Sequence, residues 1–147
     1  MPARTAQQNA ESVEMGTFYA KVSIGNLNGG DMYETEALVD TGATDSAFPA
    51  ALLEQLHVRP SEEPPVIYVT ADGGEVECRR GQAVLDIVID DDVSVRGVCP
   101  VAFWPDDSGQ CIGATTLQVM MLGVDAPNER LVRVSTARRG WAGALGQ

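Results

Sequence analysis

From Thr17 the chain reads TFYAKVSIG, in which Phe18, Ala20, Val22 and Ile24 alternate with Tyr19, Lys21 and Ser23. A period of two predicts a strand with one buried face. NLNGGD then supplies Asn, Gly and Asp for a turn, and MYETEALVD predicts the strand returning from it. The spacing becomes helical at PAALLEQLHV, with Leu52, Leu53 and Leu56 on one face and Pro49 suited to the first turn. RPSEEPP ends that helix. VIYVTADGGEVECRRG follows with two β-prone arms around Ala71-Asp72-Gly73-Gly74, which predicts a hairpin with a glycine-rich tip. Residues 82–89 and 93–104 predict two more strands, turning at Asp90-Asp91-Asp92. CIGATTLQVMML runs through Gly-Ala-Thr into a second short helix, and ERLVRVS predicts a last strand. Two short helices among so many strands make the fold class mainly β.

A chain of 147 residues suits one core. Its start is polar and aperiodic, so the expected organisation is a flexible segment over 1–16, one domain over 17–135 and a flexible basic tail over 136–147. No window approaches the roughly 18 apolar residues of a membrane span, and the start lacks a signal-peptide core; the expectation is a soluble, cytoplasmic protein. The net charge of −11 disfavours nucleic acid and anionic membranes as partners. Arg130, Arg133, Arg138 and Arg139 face no acidic residue from Arg130 onward, and removing these four charges leaves −15 on the preceding chain. That tail reads as a solvated basic segment or a docking segment for an acidic surface.

The remaining composition narrows the chemistry. Cys78, Cys99 and Cys111 are odd in number and lack C-x-x-C spacing, which argues against a disulfide framework and a zinc site. The three adjacent aspartates at 90–92 lack the spaced ligands and glycine of a calcium loop. With His57 as the one histidine, a serine or cysteine hydrolase would rest on a single imidazole, and near the end of a short helix His57 is favourable through the helix dipole.

One stretch invites a catalytic reading. In ALVDTGATDSAFP an apolar strand ends in Asp40, followed at once by Thr41-Gly42-Ala43-Thr44. Asp-Thr-Gly can be plain turn punctuation, or it can hold a carboxylate for chemistry. Gly42-Ala43-Thr44 has an echo in Gly113-Ala114-Thr115, each following an apolar run and preceding a short helix, which suggests approximate internal twofold symmetry. Aligning the echo puts Cys111 opposite Asp40 and Ile112 opposite Thr41, so the second copy carries no carboxylate.

ALVDTGAT, the hairpin TADGG and the late CIGATTL, in that order over residues 17–135, resemble the retropepsin-like aspartic proteases, the single-lobed group that includes retroviral proteases and prokaryotic and cellular relatives. The resemblance implies a closed β-barrel or sandwich lobe with one or two short helices. It implies that Asp40 is one half of a catalytic dyad, that Thr41 braces the two turns across a dimer axis, and that Gly42 brings its backbone close to substrate, with Ala43 and Thr44 completing the turn. The flap falls on the hairpin, with Asp72, Gly73 and Gly74 at its tip, and Gly113 and Ala114 lie in a second turn beneath the active-site loop. One Asp per chain implies a homodimer acting on peptide or protein substrates without a cofactor. Retroviral members commonly have Asp where Thr44 stands and Arg where Ala114 stands; losing both together fits a non-viral, prokaryotic branch. The strands that lock viral dimers are not recognisable at either end.

The expected function is therefore an aspartic endopeptidase. The alternative is a non-catalytic dimerisation or peptide-binding domain on the same fold. A further option is self-processing, with the N-terminal segment as a propeptide.

Overall fold

The computed structural model describes residues 18–134. Both terminal segments, with Arg138 and Arg139, lie outside the described residues. The alternating run at the start forms β1 (Phe18–Gly25), which pairs antiparallel with β2 (Tyr33–Val39) from Phe18↔Val39 to Ile24↔Tyr33. Phe18, Ala20, Val22 and Ile24 all turn into the core, as the period of two requires.

After β2 come β3 (Ser46–Pro49), α1 (Ala50–Gln55) and a hairpin of β4 (Val66–Val69) and β5 (Glu75–Cys78). Two long strands follow, β6 (Arg80–Asp90) and β7 (Val93–Trp104), joined by the exposed Asp90–Asp92 turn. The last described elements are β8 (Cys111–Ile112), α2 (Ala114–Met120), β9 (Leu122–Asp125) and β10 (Arg130–Arg133). Six strands close a barrel in the order β1-β2-β8-β3-β7-β6, while β9–β10 and β4–β5 are separate two-stranded sheets. The core fills the barrel with Val22, Ile24, Phe48, Leu85, Ile87, Val101 and Ile112, each less than 2% exposed. The closure runs through the short β8, which pairs with β2 over two residues and with β3 at Ala47↔Cys111.

Three local features differ from the expected pattern. Strand β3 precedes α1, so the first helix starts at Ala50, with Pro49 as its N-cap. The second helix ends at Met120, and Leu122 opens β9, the partner of the expected last strand. His57, at φ 65°, is the left-handed residue of a helix C-cap: His57 N–H donates to the Glu54 carbonyl and Val58 N–H to the Leu53 carbonyl. Val58 then drops into the core, which fixes where α1 stops.

Candidate active site

Strand β2 runs parallel to β8 for two residues, Leu38↔Cys111 and Val39↔Ile112, and the Asp40 N–H continues the pairing to the Ile112 carbonyl at 2.9 Å. Asp40 thus leaves the barrel from a strand end fixed on both sides. The chain then folds back, with Ala43 N–H on the Asp40 carbonyl at 3.1 Å and Gly42 N–H on Asp40 Oδ1 at 3.0 Å. The second bond is the local side-chain turn that Asp favours, and it restrains the carboxylate's rotation. The carboxylate remains half-buried at the cleft wall.

Helix α2 supplies the foundation. The first N–H groups of a helix have no partner within it, and no side chain caps α2. Instead Ala114 N–H donates to the Ala43 carbonyl at 2.8 Å and Thr115 N–H to the Thr44 carbonyl at 2.9 Å. Gly113 N–H donates to Ser46 Oγ at 3.0 Å, and Ser46 Oγ lies 2.6 Å from Thr116 Oγ1, both side chains being fully buried. Gly113 is needed for close approach: a Cβ there would stand 2.6 Å from the Asp45 carbonyl carbon and oxygen. The sequence echo is therefore not a geometric repeat, because α2 starts directly after Gly113 whereas β3 intervenes before α1.

Beside the turn, the buried Asp45 accepts from Tyr68 Oη at 2.7 Å and from Arg80 Nε at 2.9 Å on Oδ2, and from Arg80 Nη2 at 3.3 Å on Oδ1. Burial first, and then the Asp45 contact, push the Tyr68 phenol well above its ordinary range. Its ring is tilted 58° to that of Trp104, with centroids 6.2 Å apart. Burial, followed by the charge of Asp40, pushes the Cys111 thiol up to about 11.

These groups wall a cleft of about 900 Å³ that includes Asp40, Thr44, Ala47, Tyr68, Arg80 and Trp104. Gly42 and Ala43 also line it, Thr41 is exposed, and Gly113 and Ala114 lie beneath the turn. Asp72, Gly73 and Gly74 form the hairpin tip as the sequence predicts, but the cleft is walled by Val66 to Ala71 of the rising arm, not by the tip. A second hollow of about 710 Å³, at His57 and Arg59, shares Val66 and Arg80 with this cleft. It contains neither Asp40 nor the turn, so the cleft at Asp40 is the candidate active site.

Sequence reasoning missed Asp45, Arg80 and the Ser46–Thr116 pair. The acid–base pair expected of viral relatives at Thr44 and Ala114 is absent, yet an ion pair stands beside the turn between residues 45 and 80. Its one visible signal is a second Asp five residues after Asp40.

Comparison with curated proteins gives no match. The aspartyl protease family matches residues 20–126, from β1 through β9, and so spans the Asp40 turn, the hairpin and α2. On this match, over most of a chain whose closed six-stranded barrel and two short helices are consistent with a retropepsin-like lobe, the protein belongs to the aspartyl protease family.

Proposed function

We propose that the protein is an aspartic endopeptidase, active as a homodimer in which the Asp40 residues of two copies face each other and activate water. Amide hydrolysis needs a base for water and an acid for the carbonyl oxygen or leaving group. Two carboxylates about 3 Å apart cannot both ionise; the shared proton then lets one act as base and the other as acid, as is general for aspartic proteases.

The observation that carries the reading is the state of the two carboxylates in the cleft. Asp40 keeps one oxygen outside its turn bond, whereas both oxygens of Asp45 are taken up by Arg80 and Tyr68. Asp45 therefore cannot serve as the second member of the dyad, and a second copy of the chain is the natural source. Thr41, exposed on the same turn, then faces its equivalent across the axis, and Gly42 presents its backbone to substrate. An extended peptide would lie between the dyad and the two hairpins, making main-chain bonds as an added strand does. The non-viral assignment rests on Thr44 and Ala114 alone.

The test is cleavage of a diverse peptide mixture from about pH 4 to 7, read by mass spectrometry at a protein concentration that favours dimers. The expected result is cuts by the wild type and a loss of at least about a thousandfold for Asp40→Asn. No cuts by a folded, dimeric wild type that still binds peptides would favour the non-catalytic alternative.

A further inference from the structure

The β4–β5 hairpin has no backbone ladder to the barrel. A lone two-stranded ribbon is marginally stable in water, so its position depends on what its side chains touch. Its base is seated by Val76 and Cys78 against Ala47 and Ala102. Farther up, Ile67 and Val69 are 58% and 71% exposed, and the tip bonds only to itself through Thr70, Asp72 and Gly74. Among the described residues, one hydrogen bond joins the hairpin to the active-site segment, from Tyr68 Oη to Asp45 Oδ2.

The geometry points to Tyr68 as a releasable latch, a positioning residue that holds the hairpin arm over the active-site turn and can let go without stranding a buried charge. The second half follows from the fork of Arg80. A buried carboxylate that loses its partner is strongly destabilising, but Arg80 reaches both oxygens of Asp45 and stays when Tyr68 leaves. Asp45 is thus a fixed acceptor, anchored by the strand that begins at Arg80, and Tyr68 is the movable donor. Released, the phenol swings toward the cleft it already lines, where water or a substrate carbonyl can accept from it. The latch sets how readily the cleft admits peptide; it touches no reacting atom and leaves Asp40 as it was. Its role in turnover rests on the proteolytic reading above, whereas its hold on the hairpin does not.

Tyr68→Phe keeps the ring beside Trp104 and removes only the donor, and Asp45 retains its partner, so the variant is expected to fold. Hydrogen exchange is measured on both proteins. Amides of residues 66–78 are expected to exchange about tenfold faster in the variant, while those of β6 and β7 stay unchanged. With a cleaved peptide, KM is expected to rise about tenfold and kcat to change less than about threefold, because substrate must then order the hairpin itself. Hairpin exchange within about twofold of wild type overturns the latch, as does equal acceleration in the barrel, which would mean general loosening. An unchanged KM overturns its role in substrate entry. A wild type that cuts no peptide would sink the proteolytic reading instead, and the exchange comparison would still decide the latch.

Discussion

The active-site turn and the β4–β5 hairpin face each other across one cleft and are held in opposite ways. Between Asp40 and Ser46 the chain bonds to the end of β8 and accepts three successive N–H groups at the start of α2. The hairpin pairs its two strands with each other alone, and its hydrogen bond to the turn comes from one phenol. At its tip the Thr70 hydroxyl, and then the Gly74 N–H, hold the exposed Asp72 carboxyl below the usual range. Such a division would suit the proposed hydrolysis, in which a carboxylate must stay within a fraction of an ångström of its place while an arm that covers substrate moves each cycle. The chain roots one loop in a helix N-terminus and leaves the other as a ribbon paired only with itself and seated at its base.

Substitutions at the two sites should respond accordingly. Gly113→Ala attacks the root, since its Cβ would meet backbone at 2.6 Å with no flexible side chain to yield. The expected cost is at the upper end of the roughly 1–3 kcal/mol of overpacking, with thermal unfolding earlier by about 10 °C. Peptide cleavage should fall with it, because the displaced backbone carries Asp45 and the turn.

Alkaline pH should loosen the turn more modestly. The Cys111 thiol keeps its proton to about 11 in the folded chain, against an ordinary 9.0. Between these values the unfolded chain binds fewer protons than the folded one, so stability falls as pH rises through that window. Cys111→Ala should remove up to about 2 kcal/mol of that loss, read from urea unfolding at about pH 8 and about pH 10.5. Cys78, Cys99 and Tyr68 are raised as well and would leave a residual slope.

The smallest effect is expected at the hairpin tip. Gly73→Ala places a side chain at φ 89° but in open space, for a cost of about 1 kcal/mol confined to the ribbon. Thermal unfolding should move by no more than about 4 °C. A Gly73→Ala loss as large as that of Gly113→Ala would erase the contrast between rooted turn and free ribbon.

The long elements were legible because each states its periodicity over many residues. Phe18 to Ile24 announces β1, and the runs on either side of Asp90–Asp92 announce β6 and β7. The hairpin was legible from its glycine tip. Strand β3 was not: its four residues adjoin α1, and too short a run carries no period. Strand β9 was hidden because Met120, Met121 and Leu122 prolong the apolar pattern of α2, and the break at Met121 is a backbone event, φ 55°, that its residue type does not signal. At the site, Asp40 and its turn could be read locally. The Asp45–Arg80–Tyr68 contact could not, since it joins residues up to 35 apart whose charges look solvated until the barrel brings them together.

If each active site needs Asp40 from two chains, subunit mixing will reveal it. Wild type and Asp40→Asn are combined at fixed total concentration under exchanging conditions, and peptide cleavage is followed against the wild-type fraction. If a mixed dimer is inactive, activity follows the square of that fraction, so an equal mixture keeps about a quarter of the wild-type rate. A linear fall, with about half the rate at equal mixing, would mean that one chain carries a complete site and would contradict the shared dyad.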